Sequence, residues 1–102
     1  MEIEDVFVLE EAVADLENGR LFYEARQAGL GDYFWDTLLS NMESLVIYGG
    51  IQVKEMGFYR MLSKRFPYAI YYEVKDQSAY VVAVLPMRRD PKWIRGKLEE
   101  RS

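Results

Sequence analysis

Apolar positions recur at helical spacing through residues 10–28. Ala12, Leu16, Gly19 and Tyr23 fall at i, i+4, i+7 and i+11 and make one stripe of a helix. Glu10, Glu11, Asp15 and Glu17 crowd its first turns, where the helix dipole favours negative charge, and read as a solvated helix start. Gly29-Leu30-Gly31 breaks the pattern. Asp32 then offers a cap to a second helix, with the stripe Phe34, Leu38, Met42 and Leu45, and Gly49-Gly50 stops it after Tyr48. Two helices joined by so short a break pack as an antiparallel hairpin. Ahead of them, residues 4–9 are a short apolar run bounded by acids, which reads as a strand or as the lead-in to the first helix.

After Gly50 the pattern changes. Residues 58–62, 67–74 and 79–85 are rich in aromatic and β-branched side chains, the composition of strands, and residues 51–54 read as opening the first of them. Lys75-Asp76-Gln77-Ser78 makes a hairpin turn, and the short spacings predict an antiparallel meander. The last strand is apolar on both alternating sets: Tyr80, Val82 and Val84 point one way, and Val81, Ala83 and Leu85 the other. Such a strand is covered on both faces. The hairpin covers one. A C-terminal helix from Pro91 to about Glu100, capped by Asp90, offers Trp93, Ile94 and Leu98 to the other. Being short, this helix leaves part of that face to a partner, and removing it is expected to leave the fold standing. The architecture is α+β: an N-terminal strand and helical hairpin packed on a small antiparallel β-sheet, with a short C-terminal helix. Residues 1–102 form one domain without repeat or linker.

Composition narrows the chemistry. Half of the residues are hydrophobic, too many for a disordered chain, yet no run is long enough to span a bilayer. The start, Met1-Glu2-Ile3-Glu4-Asp5, lacks the basic and apolar regions of an export signal, so a cytoplasmic protein without membrane association is expected. There is no cysteine and no histidine. Disulfides, thiolate nucleophiles, Cys-ligated metal sites and a Ser-His-Asp triad are excluded, and any catalysis rests on Arg, Lys, Tyr or carboxylates. No cofactor is implied. The net charge of −4 hides a division: residues 1–50 carry 2 basic and 11 acidic side chains, a balance of −9, and residues 51–102 carry 11 and 6, a balance of +5. One face built for an anionic partner, or an acidic layer neutralising a basic one, both produce this asymmetry.

Arg60, Lys64, Arg65, Arg88, Arg89, Lys92 and Arg95 are candidates for one basic rim at the sheet's edge, against ordinary solvated charge. Arg88 and Arg89 stand out because they lie between a strand end and a helix cap. Tyr68, Tyr71, Tyr72, Tyr80 and Trp93 offer stacking platforms for bases, but core packing is the better reading of them. Glu10, Glu11, Asp15 and Glu17 do not make a metal site without His or Cys. Gly49-Gly50 lacks the Lys-Ser/Thr of a phosphate loop.

Several segments resemble the RelE/ParE toxin superfamily of bacterial type II toxin–antitoxin pairs, whose members include plasmid stabilisation proteins. They are Tyr59-Arg60; Arg65-Phe66-Pro67-Tyr68-Ala69-Ile70-Tyr71-Tyr72; the strand 81–85; Arg88-Arg89-Asp90-Pro91; and, in the first half, Phe22-Tyr23-Glu24-Ala25 and Gly29-Leu30-Gly31. The resemblance covers residues 4–95 and implies a cytoplasmic, growth-inhibiting toxin held in a hetero-oligomer by a cognate antitoxin. RelE-like members are ribosome-dependent mRNA endonucleases; ParE-like members poison DNA gyrase without that catalytic set. Arg88 matches the arginine that follows the last strand in the RelE pattern and is the best catalytic candidate under that alternative. The pattern's other arginine falls at about Ala69 and its terminal tyrosine near Trp93, while Pro86-Met87 stands where relatives carry histidine. The resemblance is therefore ParE-like rather than RelE-like, with Arg60, Arg65, Arg88, Arg89 and Trp93 as the expected partner- or target-binding residues. An antitoxin helix is expected on the second sheet face, its acidic flank meeting Arg88 and Arg89. A degenerate, non-toxic relative that keeps antitoxin binding is the further alternative.

Overall fold

The computed structural model describes residues 2–102. The chain runs β1 (Asp5–Val8), α1 (Glu10–Arg26), α2 (Leu30–Glu43), α3 (Leu45–Tyr48), β2 (Lys54–Glu55), β3 (Phe58–Leu62), β4 (Tyr68–Lys75), β5 (Ser78–Pro86) and α4 (Pro91–Glu100). The expected stripes are the buried ones: Ala12, Leu16 and Gly19 on α1, then Phe34, Leu38, Met42 and Leu45 across α2 and α3. The break between α1 and α2 works differently from the sequence reading. Asp32 does not cap α2. The helix begins earlier, at Leu30, and the Glu24 carboxylate reaches back from α1 to accept hydrogen bonds from the Gly29 and Gly31 amides. Gly29 sits at φ 88°, a left-handed conformation that a side chain would oppose. Gly19 lets the two helices touch: a Cβ there would lie 2.5 Å from the Phe34 ring.

The sheet has the order β1-β5-β4-β3-β2. Strands β2 to β5 are antiparallel neighbours, but β1 joins β5 in parallel, so the sheet is mixed rather than a pure meander. Residues 4–9 resolve as a strand. Residues 51–54 do not open β3. They lead into the two-residue β2, which a tight turn at Met56-Gly57 folds back on β3. The β4–β5 turn holds as expected, with Asp76 and Gln77 in left-handed conformations.

The side-chain alternation of β5 departs from expectation at Val82. Tyr71 faces Ala83 and Tyr72 faces Val81, which leaves Val82 as the extra residue of a β-bulge. Ala79, Val81 and Val84 consequently join the core under the helical hairpin, while Val82, Ala83 and Leu85 share the opposite face. A one-residue insertion reverses the faces of all that follows it. On that opposite face Phe58, Ala69 and Tyr71 pack with them beneath Leu98, Trp93 and Ile94 of α4. Two corners of this face stay half-bare, Phe7 stacked on Tyr80 at one edge and Leu62 beside Ala69 at the other, and a cavity of about 170 Å³ opens beside α4 between Arg60, Tyr71, Met87 and Ile94; α4 itself covers the centre of the face, where the antitoxin helix is expected.

The bulge lies just past the end of β1, where β5 loses its strand neighbour. Three groups complete its edge. The Leu9 amide donates to Val81 (3.0 Å), the Val84 amide donates to the Asp15 carboxylate (2.9 Å), and an Arg101 Nη donates to the Val82 carbonyl (3.2 Å). Asp15 and Arg101 also pair with each other, Nη2 to Oδ1 at 2.9 Å and Nη1 to Oδ2, with only 10% and 8% of their side chains exposed. Asp15 is thus no solvated helix acid. It is half of a bidentate ion pair that ties α1, β5 and the residue after α4 together.

Candidate functional site

The β3–β4 loop, the segment after β5 and the α1–α2 junction meet at one end of the sheet. Tyr68 opposite Pro86 closes the β4–β5 ladder there, and the Met87 amide donates to the Pro67 carbonyl (2.8 Å). Between this end and the last turns of α1 lies a cleft of about 340 Å³, walled by Phe22, Tyr23, Tyr68, Pro86, Arg88 and Arg89. The tight path from Pro86 to Asp90 presents both arginines. Asp90 accepts the Lys92 amide (2.8 Å) and caps α4, with Pro91 in the first turn. Arg89 then lies with its guanidinium 3.9 Å above the Trp93 ring, a cation–π contact that holds the side chain across the cleft mouth.

The phenols behind the arginines are unsuited to proton transfer at neutral pH. Burial pushes the Tyr68 hydroxyl up to about 12, helped by Tyr23 and Asp15. Burial also raises that of Tyr23, against the pull of Arg88 and Arg26. No carboxylate lines the cleft. The arrangement offers guanidinium cations, protonated hydroxyl donors and aromatic faces. That is equipment for holding an anionic or aromatic ligand.

Two further arginine–aromatic pairs sit at this end. Arg65 on the β3–β4 loop lies 6.0 Å from the Tyr33 ring, and Arg26 lies 4.3 Å above Phe22. Arg26 and Phe22 escaped sequence reasoning, although their i, i+4 spacing on one helix was a usable signal. Arg60 does not belong with the others. It lies on the α4 face of β3, opposite Tyr71, 3.3 Å from the Glu55 carboxylate and in contact with Met87. The expected single rim therefore divides: Arg65, Arg88 and Arg89 gather with Arg26 at one end, Trp93 supports Arg89, and Arg60 is neutralised elsewhere. Among the described residues, Arg26, Lys64, Arg65, Arg88 and Arg89 have no carboxylate within ion-pairing range. Between the acidic first half and the basic second half, the ion pairs are those of Arg101 with Glu11 and Asp15. These five cations share the end with the Glu24 carboxylate of the α1–α2 junction, so the positive potential is greatest at the cleft, which no carboxylate lines.

Ala69, which stands where the RelE pattern has an arginine, is fully buried beneath α4 and faces away from the cleft. Tyr68, Tyr71 and Tyr72 are core residues, as their composition suggested. Of the helix acids, Glu17 pairs with Arg20, and Glu11 joins Asp15 at Arg101. No helix among the described residues is long and apolar enough to cross a membrane.

No family model matches the chain, and no curated protein matches it in sequence. Among solved structures, a chain of the chromosomal ParDE TA system from P. aeruginosa superposes with a TM-score of 0.74 at 14% identity, over 84% of this chain and 98% of that one. At that identity the likeness is one of fold. The helical hairpin on a mostly antiparallel five-stranded sheet is shared with a protein of a toxin–antitoxin pair, and it is the architecture expected from the sequence.

Proposed function

We propose that the chain is a ParE-like toxin, a non-enzymatic inhibitor of growth that acts in the cytoplasm and is held inactive in a hetero-oligomer with a cognate antitoxin. The observation that carries the reading is the cleft itself: Arg88 and Arg89 stand on aromatic and proline walls that no carboxylate lines, with Arg26, Lys64 and Arg65 at the same end, all five without an ion-pair partner. Such a surface takes an acidic partner segment. Its arginines supply long-range attraction, and Phe22 and the proline walls supply apolar contact. The fold shared with a ParDE system points the same way. Because α4 covers the centre of the sheet face where docking is expected, this end is favoured for the antitoxin. DNA gyrase is the target implied by the sequence resemblance.

The experiment is regulated expression of the chain alone and with the adjacent reading frame that encodes the candidate antitoxin, followed by supercoiling assays with purified gyrase. Growth arrest relieved by the neighbour, and inhibited supercoiling, are the expected results. Arg88→Glu with Arg89→Glu should weaken capture of the antitoxin at least about tenfold while leaving the melting temperature unchanged, since both residues are exposed. Codon-positioned mRNA cuts that disappear in Arg88→Ala would replace this reading with the RelE-like endonuclease. Absence of arrest with antitoxin binding intact would leave the degenerate relative.

A further inference from the structure

The end of the sheet opposite the cationic cleft has a different chemistry. Between α3 and the β2–β3 turn the chain exposes Ile47 to 75%, Ile51 and Val53 to 74% each, and Tyr48, Val46 and Met56 to about half. Scattered exposed apolar residues are ordinary, but six large ones within eleven positions form a patch of the kind that marks an interface.

This segment is held firmly. The Gly50 amide donates to the Tyr72 hydroxyl at 2.8 Å, and that hydroxyl donates in turn to Gln52. Gly49 packs on Ile3, and the Arg60 amide donates to the Val53 carbonyl at 3.1 Å. Tyr72 is fully buried, so the core itself anchors the loop that displays Ile51 and Val53. A preformed patch loses little conformational entropy when covered. At the tip, Met56 takes φ 56°, as its two-residue turn with Gly57 requires, and remains nearly half exposed.

We propose that this patch is the contact between two copies of this chain, related by a twofold axis. Charge selects the occupant. Residues 45–57 carry one Lys and one Glu, Lys54 and Glu55. Glu55 pairs with Arg60, so the surface carries at most one uncompensated charge, the Lys54 amine resting 4.9 Å from the Tyr59 ring. A twofold contact places a patch against itself, which an uncharged apolar surface tolerates and a cluster of like charges does not. The cationic end, with its five unpaired cations, repels its own copy and is left free for a partner of opposite charge. This inference is independent of the toxin reading, since it uses neither the cleft nor its ligand.

The test is sedimentation of the purified full chain over a wide concentration range, with Ile47→Glu plus Ile51→Glu as the disrupting variant and Arg88→Glu plus Arg89→Glu as the control. Ile47 and Ile51 are three-quarters exposed in the monomer, so their variant keeps its melting temperature at low concentration. The expected result is a monomer–dimer equilibrium weakened by at least about tenfold in the isoleucine variant and not weakened in the arginine variant. A chain that stays monomeric at every concentration overturns the proposal. So does association that survives the glutamates, or that is lost in the arginine variant.

Discussion

Replacing Arg101 by leucine removes one partner of the ion pair at the β5 bulge and leaves three groups in want of one. The Asp15 carboxylate, 10% exposed, loses its counter-charge. The Val82 carbonyl loses the Nη donor at 3.2 Å, and Glu11 loses the guanidinium at 3.5 Å. Asp15 cannot swing into water without releasing the Val84 amide that it accepts at 2.9 Å. Breaking a buried pair from one side costs about 3–5 kcal/mol, against roughly 0–1 kcal/mol for an exposed pair. With both side chains about nine-tenths buried, the larger figure governs. The Glu11 contact adds little, because that carboxylate is 66% exposed. A domain of this size has about 5–15 kcal/mol in total and loses roughly 4–8 °C of Tm per kcal/mol, so Arg101→Leu should lower Tm by at least about 12 °C. Urea unfolding followed by far-UV circular dichroism measures the change. Asp15→Asn, which keeps an acceptor for Val84 but not the charge, should lose less. The double variant should show coupling of about 1–3 kcal/mol. An Arg101→Leu protein within about 1 kcal/mol of the parent would mean that the pair is solvent-screened, and the clamp would be wrong. The same logic revises what removal of the C-terminal helix does. Deleting residues 91–102 takes away fully buried Leu98 and the clamp together, so cooperative unfolding should fail rather than persist.

Gly19→Ala should destabilise by about 1–3 kcal/mol, because its Cβ would lie 2.5 Å from a Phe34 ring boxed in by Tyr23, Phe66 and Tyr68. With the ring boxed in, the upper part of that range applies and outweighs the roughly 1 kcal/mol which alanine gains over glycine in a helix; a Gly19→Ala protein melting at or above the parent refutes it. Alkaline stability follows from Tyr68. Its folded hydroxyl titrates near 12 against an ordinary 10.0, so the folded state holds the proton more tightly. That contribution is fully present below pH 10 and is lost as pH rises toward 12, worth about 2–3 kcal/mol. Denaturant unfolding at stepped pH should show the parent losing stability faster than Tyr68→Phe across that window, and parallel profiles would count against the burial argument.

Much of the fold was legible in residue order because burial repeats with the period of each element. Ala12, Leu16 and Gly19, the α2 stripe, the turn at residues 75–78 and the Asp90–Pro91 start of α4 are all local signals, and each stands where its spacing placed it. Of the candidate site, the neighbourhood of Arg88 and Arg89 was legible for the same reason, since a strand end followed by a helix cap is a local feature. The parallel joining of β1 to β5 was not, because a four-residue run carries no record of its partner. Nor was the bulge: every residue from 79 to 85 is apolar, so a one-residue slip changes no letter of the pattern. The separation of Arg60 from Arg65 and Arg88 depended on which face of β3 turns toward α4. The union of Asp15 with Arg101 lay furthest from reach. The two are separated by 86 positions, and they meet only because an open β5 edge needs an acceptor for Val84 and a donor for Val82, groups that exist as a pair only once the sheet has closed.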